Sequence, residues 1–360
     1  MKVVIFAGGV GTRLWPLSRK KTPKQFEKII GNKSTVQLAV ERVIPLIDPS
    51  NIFISSGIIY KDILLSQLPQ IPKENFILEP EMRDVGAAVG LVTAILEKED
   101  PNEPFIILWS DHIVKNENLF RDILKVAGDV LTEDKNKIVF IGENSRFASQ
   151  NLGWIEFGKE AKKINGLSLF ELKSFHYRPD LNIAQKFHES PNHVWNTGYF
   201  GTTPGFLLSL YRKFSPQMHD GLVKLQKVWG TKDFEGEIKK IYPELEKISF
   251  DNLILEKIKP ADGFVIAEDL EWSDIGAWES LKEALAKSDE ENVSRGKVIL
   301  KDSKDSLVFN YTGQMLVGID IDELLVINTE DVVLVCPKKS VPKIKKFVES
   351  LSGTENEGLT

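Results

Sequence analysis

The apolar run "VVIFA" at residues 3–7 leads directly into "GGVGTR" (8–13), and "LWPLSRKKTPKQF" continues to Phe26. Glycines such as Gly8, Gly9 and Gly11 let backbone N–H groups approach a phosphate or a base. Arg13 adds a forked cation and Lys24 a point charge, while Pro16 and Pro23 stiffen the stretch that carries them. Residues of this kind suit the capture of a polyanion. The plainer alternative is a tight strand-to-helix turn with a solvated basic face. A dinucleotide fingerprint fails because Leu14 stands where the third glycine is required, and a P-loop fails because no Gly-Lys-Ser/Thr follows.

Two carboxylates stand out further along. Asp111 closes the apolar run "FIILW", and Asp274 lies in "EWSDIGAW". Two carboxylates sharing one Mg2+, with waters and phosphate oxygens completing the octahedron, is ordinary magnesium chemistry. Taken singly, each is more often a turn or helix-cap residue. His112 reads as structural or as a hydrogen-bonding neighbour of the site, and His176, His188 and His193 form no ligand set for so hard an ion.

Elements able to position these groups can be read along the chain. "KVVIFAGG", "NIFISSG", "NFILEP", "FIILWSD" and "KIVFIGE" read as strands, and "TVQLAVERVIPLI", "AAVGLVTAILEKED" and "NLFRDILKVAGDVL" as helices between them. That alternation predicts βαβ crossovers and a mostly parallel sheet, with ligands at the carboxyl ends of its strands. From about Gly153 the pieces shorten ("GWIEFG", "LSLFELKSF", "NTGYFGTT", "GFVIAEDLEW"), which predicts an insertion building a second wall over the sheet. "AWESLKEALAK" reads as a helix and "SDEENVSRGK" as a polar linker. In the tail, Leu-Val recurs at 307, 316, 325 and 334, a spacing of nine, which predicts a small β-solenoid or a meander. The last ten residues are expected to fray.

Composition bounds the partners. The 360 residues carry a net charge of −6, which argues against a general nucleic-acid or membrane-surface binder, so any anion site is local. A single cysteine, Cys336, excludes an internal disulfide and a multi-cysteine metal site. The amino-terminal apolar run is too short for a signal peptide, and no run is long enough for a bilayer. A soluble cytoplasmic protein is the expectation.

The stretch "GGVGTRLWPLSRKKTPKQF" resembles the signature of the sugar-1-phosphate nucleotidyltransferases, in particular the mannose-1-phosphate guanylyltransferases. Further blocks fall in that family's order: "EPEMRDVGAA", "WSDH", "GWIE", "WNTGYF", "SFDNLILEK" and "WSDIGAW". The resemblance covers about residues 1–285. It implies an α/β fold, a Rossmann-like (GT-A-like) mixed sheet with a small C-terminal left-handed β-helix-like domain. The boundaries expected are a catalytic domain over 1–285, a β-solenoid-like cap over 286–345 with a short helix, and a disordered tail to 360. The implied reaction joins GTP and mannose 1-phosphate to give GDP-mannose and pyrophosphate, with Mg2+ as cofactor. Arg13, Lys24, Asp111 and Asp274 are the implied catalytic residues, the two aspartates holding the metal. Gly8, Gly9, Gly11, Thr12, Glu79, Arg83 and Asp84 are placed at the nucleotide, with Glu79 a candidate to accept from the guanine edge. Gly153, Glu156, Tyr177, Arg178 and Asn196 are placed at the sugar phosphate. Trp154, Trp195 and Trp272 are sugar-flanking or core residues.

Two departures from the family pattern bear on specificity. Asp84 and Val85 replace Asn-Thr after the arginine. Tyr177-Arg178 stands where relatives carry Glu-Lys: the arginine keeps the charge, but a phenol cannot match a carboxylate as acceptor of two hydroxyls. The alternatives are a same-fold nucleotidyltransferase for another sugar 1-phosphate or nucleotide, and a noncatalytic nucleotide-sugar sensor. Bifunctional relatives continue into an isomerase domain, so that second activity is not expected. Neither nucleic acid nor membrane is expected as a partner, and a homodimer is the expected assembly.

Overall fold

The computed structural model describes residues 1–9, 12–19, 22–29 and 31–360, the side chain of Thr12 excepted. Of the expected site residues, Gly11 and the Thr12 side chain therefore lie outside the described residues. The chain divides into two compact units: 1–8, 39–109 and 114–272 form the first, and 9–38, 110–113 and 273–360 the second.

The strands over residues 1–274 are β1 (Lys2–Phe6), β2 (Ile52–Gly57), β3 (Phe76–Glu79), β4 (Phe105–Trp109), β5 (His112–Val114), β6 (Ile138–Glu143), β7 (Gly153–Ile164), β8 (Leu167–His176), β9 (His193–Thr202), β10 (Gly263–Glu268) and β11 (Trp272–Asp274). In the first unit nine of them form one sheet, ordered β3-β2-β1-β4-β9-β6-β10-β8-β7. The expected parallel pairing holds for β1 with β2 and β4 and for β2 with β3. β6 runs parallel to β10, and β7, β8, β9 and β10 lie in this same sheet rather than forming the expected second wall over it. β9 runs antiparallel to both β4 and β6, so the sheet is mixed. β1 and β4 are buried nearly end to end, which is why they read as unbroken apolar runs rather than alternating ones.

The chain leaves β1 for β2 and β3 on one side and returns to β4 on the other. This reversal makes a switch point, where ligands meet strand ends. Phe6 pairs with Trp109, so the segments running on to Gly8 and to Ser110 leave the sheet side by side. The helix Asp84–Glu99 is buried from Gly86 to Leu96, as its nearly all-apolar sequence requires. It packs into a core with Leu207, Tyr211, Leu222 and Phe250. The helices Leu181–Glu189, Pro204–Phe214, Pro216–Val228 and Phe234–Ile241 went unread in the sequence.

The second unit explains the spacing of nine. Its strands are β12 (Val293–Arg295), β13 (Val298–Lys301), β14 (Leu307–Asn310), β15 (Leu316–Ile319), β16 (Leu324–Asn328) and β17 (Val333–Pro337). β12, β14 and β16 pair in parallel, as do β13 and β15 in a separate sheet. Leu307 thus sits beside Leu325, and Leu316 beside Val298, so nine residues are half a coil and each coil has two strands. The fourth Leu-Val does not continue the coil: β17 runs antiparallel to β16, with Ile327 opposite Leu334.

Inside the coil an asparagine ladder ties successive turns. Asn328 Nδ2 donates to Asn310 Oδ1 at 3.0 Å, and Asn310 Nδ2 donates to the carbonyls of Lys297 and Gln314. The apolar core of this unit joins Leu307, Phe309, Leu325 and Ile327 to Leu14, Trp15 and Leu17 beyond the glycine loop, and to Trp278. Trp278 Nε1 donates to the Trp15 carbonyl at 3.0 Å, and Trp15 Nε1 donates to the Leu359 carbonyl at 2.7 Å. Asn310→Ala removes the acceptor of Asn328 and both of its own donations in a nearly closed interior. It is expected to lower stability by about 1–3 kcal/mol, read as an earlier urea midpoint. An unchanged midpoint would show that the ladder carries no load.

Candidate active site

In the second unit four expected residues converge. Lys24 leads the short helical turn Lys24–Phe26 and is buried. Its Nζ lies 2.7 Å from Asp111 Oδ2 and donates to the Ile275 carbonyl at 2.7 Å. The Ile275 N–H in turn donates to the Asp111 carbonyl at 3.2 Å. One ammonium therefore joins the segment after the glycine loop to both carboxylate-bearing segments. Burial works to raise the Asp111 pKa, but the Lys24 ammonium, helped by the His112 ring, overrides it and brings the carboxyl down to about 2. His112 Nε2 stands 3.9 Å from Asp111 Oδ1, a neighbour rather than a direct partner.

Asp274 ends β11, which pairs with β5. A Cβ on Gly276 would lie 3.1 Å from both Asp274 Oδ2 and Arg13 Nη2, so glycine makes room there for a carboxylate and a guanidinium. Arg13 itself is exposed. Gly9 has φ +94°, a backbone that favours glycine, and its carbonyl accepts from Gln25 Nε2 at 3.1 Å. A Cβ on Gly8 or Gly9 would meet nothing within 4 Å.

Hard oxygen ligands are the right donor set for Mg2+, and two carboxylates, one in the turn before β5 and one at the end of β11, leave positions for water and phosphate oxygens. Asp111 and Asp274 fit that description. Among the described residues, no group of three or more His, Cys, Asp or Glu side chains forms a ligand cage.

In the first unit, Glu79 closes β3, and the Tyr242 hydroxyl donates to its Oε2. Burial pushes the Glu79 pKa up to about 7, partly countered by that bond. One of the two acceptor oxygens a guanine edge would use is thus engaged. Arg83 Nε lies 2.7 Å from Glu81 Oε1. Asp84 opens its helix at φ +64°, with Oδ1 accepting from the Val85 N–H at 2.7 Å.

Also in the first unit, the sugar-phosphate candidates gather on β7, β8 and β9. Gly153 pairs with Asn196, and a Cβ at 153 would crowd the Asn196 Cβ at 3.3 Å. Asn196 is buried, its Oδ1 accepting from the Gly198 N–H at 3.0 Å. Glu156 accepts from the Ser174 hydroxyl at 2.7 Å. Tyr177 and Arg178 follow β8; the Arg178 guanidinium lies 4.9 Å over the Tyr177 ring, and its Nε donates to the Asn151 carbonyl at 3.2 Å. Beside them stand two acids that the sequence reading left unassigned within "SFDNLILEK". Glu256 Oε1 accepts from the Tyr177 N–H at 3.1 Å. Asp251 has its pKa raised to about 6 by burial, with Glu256 and Asp84 pushing the same way and Arg178 opposing. Trp154, Trp195 and Trp272 are all buried, so packing accounts for them.

Residues 2–291 match the profile of the family described as Nucleotidyl transferase. The chain belongs to that family. It is 32% identical over 355 residues to a mannose-1-phosphate guanylyltransferase of Escherichia coli, a match covering 97% of this chain and 75% of that one. A mannose-1-phosphate guanylyltransferase of Salmonella typhimurium is 31% identical over 353 residues, covering 97% and 72%. Among solved structures, a Thermus thermophilus protein described as a mannose-1-phosphate geranyltransferase superposes with a TM-score of 0.87 at 26% identity, over 98% of this chain and 99% of that one. The mixed sheet with its parallel coil is thus a nucleotidyltransferase architecture, and the chain is an enzyme of that class. Among the described residues, no helix is long and apolar enough to cross a membrane.

Two outcomes follow from this geometry. Gly276→Ala is expected to displace Arg13 or Asp274, both flexible at their far ends, and to lower turnover about tenfold with an unchanged melting temperature. Wild-type kinetics in the variant would show that neither group needs that gap. Glu79 keeps its proton in the fold up to about pH 7 while the unfolded chain loses it near 4.5, so its contribution to stability falls as pH rises between those values. Glu79→Gln is expected to remove a slope of up to about 1.4 kcal/mol per pH unit, measured by urea unfolding at pH 5 and 7. Parallel wild-type and variant curves would contradict the raised pKa.

Proposed function

We propose that this nucleotidyltransferase joins GTP and mannose 1-phosphate, releasing pyrophosphate and giving GDP-mannose. The observation that carries the chemistry is the convergence of Lys24, Asp111, Asp274 and Arg13 within one unit. The choice of substrates rests on the relatives' names at about 30% identity over nearly the whole chain.

Attack by the sugar phosphate on the α-phosphorus forces two anions together, so the need is for positive charge and alignment rather than for a nucleophilic side chain. Arg13 binds phosphate oxygens as a fork, and Lys24 holds Asp111 ionised and aimed. Asp111 and Asp274 are the residues that would hold Mg2+, whose role when bound is to neutralise phosphate charge. Glu79, with one oxygen on Tyr242, presents the other to the base. Arg178 grips the sugar phosphate through its terminal nitrogens, its Nε being tied to Asn151. Glu156 and Asn196 read the sugar hydroxyls. The enzyme acts in the cytoplasm.

A second reading, the same transfer to another sugar 1-phosphate, is favoured by one observation: Tyr177 and its neighbours Glu256 and Asp251 present a different set of groups from the Glu-Lys pair of relatives. One experiment addresses both readings: pyrophosphate release with GTP, Mg2+ and a panel of sugar 1-phosphates. Mannose 1-phosphate is expected to give the highest kcat/KM. Asp111→Asn and Asp274→Asn are each expected to lower kcat about 100-fold or more and to raise the Mg2+ requirement. Turnover that survives EDTA, or Asn variants that match wild type, would overturn the metal assignment. Turnover of a different sugar alone would move the substrate to the second reading.

A further inference from the structure

The approach to Asp274 is held in an unusual way. Glu271 has φ +49°, in the left-handed region that non-glycine residues rarely adopt, and its N–H donates to Asp269 Oδ1 at 3.0 Å. Such a backbone persists only where its surroundings over-determine it. Here the surroundings are two side chains at the end of β6. Glu143 Oε2 accepts from the Leu270 N–H at 2.9 Å and Oε1 from the Trp272 N–H at 3.2 Å. Arg146 donates from Nη2 to the Trp272 carbonyl at 3.0 Å and from Nη1 to Glu143 Oε1 at 3.3 Å. The Leu270 carbonyl accepts from the Asn116 N–H at 3.2 Å, just past β5. Arg146 is itself braced, its guanidinium 5.1 Å from the centre of the Trp195 ring.

The carboxylate of Glu143 is fully buried. Burial raises its pKa to about 7, with the Leu270 and Trp272 amides opposing, Asp269 adding to the rise and Arg146 lowering it. A buried carboxyl group is a poor device for stability alone, since an apolar side chain of similar volume packs there at less cost. What this pair does that an apolar side chain cannot is fix three backbone polar groups of residues 270–272, two positions before Asp274.

We propose that Glu143 and Arg146 are positioning residues, which lock the 269–272 turn and thereby set the aim of the Asp274 carboxylate. The inference rests on the reading of Asp274 as a metal ligand, so its test carries Asp274→Asn as a reference. Glu143→Gln keeps the shape but turns an amide NH2 toward a backbone N–H. Arg146→Gln removes the second grip from a side chain that is 42% exposed, and it decides the matter if the buried variant does not fold.

On the purified full chain, binding of Mn2+ alone is measured by electron paramagnetic resonance. The Mg2+ concentration for half-maximal turnover and the KM for mannose 1-phosphate are measured beside it. Asp274→Asn is expected to weaken Mn2+ binding most. Glu143→Gln and Arg146→Gln are each expected to weaken it, and to raise the half-saturating Mg2+, by roughly tenfold, with the sugar KM within about twofold of wild type. If folded Glu143→Gln and Arg146→Gln bind Mn2+ as wild type while Asp274→Asn does not, the inference fails and the ligand reading stands. If Asp274→Asn binds Mn2+ as wild type, the ligand reading fails and the inference with it.

Discussion

The candidate site depends on one buried ammonium. Lys24 Nζ has an Asp111 carboxylate oxygen on one side and the Ile275 carbonyl on the other. Three stretches of sequence, more than two hundred and fifty residues apart at their extremes, meet at a single nitrogen. A cation in that position needs both partners, because burying an unpaired charge is costly. The reciprocal holds for Asp111, whose low pKa is due to Lys24. Charge and alignment are thus supplied by one contact, and the remaining groups, Arg13 and Asp274 about Gly276, arrange themselves around the backbone it fixes.

Much of this was legible in the chain. Parallel strands buried on both faces leave continuous Val, Ile and Phe runs, so β1, β2, β4 and β6 announce themselves, and their polar exits mark where ligands belong. The nine-residue Leu-Val spacing is equally direct, because a solenoid repeats its core residue once per strand. What the chain does not display is contact across distance. No local pattern sets Lys24 against Asp111 as an internal ion pair, since a lysine between proline and glutamine reads as a loop residue. Tyr242 against Glu79, and Glu256 beneath the Tyr177 amide, are pairings of the same kind. The helices between Pro204 and Ile241 also escaped; the last of them, Phe234–Ile241, is short and half lysine and glutamate.

Tyr177 and Arg178 show how a two-residue departure spreads. In relatives' terms the pair is a substitution of a phenol for a carboxylate, yet here the arginine lies on its neighbour's ring and the backbone N–H of Tyr177 is taken by Glu256. Asp251 and Glu256 bring carboxyl groups near the position that lost one. These acids lie 74 and 79 residues further along the chain than Tyr177, and such a neighbourhood is invisible to any reading of one motif at a time.

The reversal of β17 has a further consequence. A parallel coil has no internal reason to stop: every finished turn presents an unpaired row of N–H and C=O groups to the next, and the same row invites strands from other molecules. Folding back antiparallel on β16 satisfies that row with the chain's own backbone and leaves the fourth Leu-Val facing its predecessor instead of a fifth. The repeat is thereby made countable. The outer edge of this sheet is therefore β17 itself, a five-residue strand that runs against the coil and does not continue its parallel register.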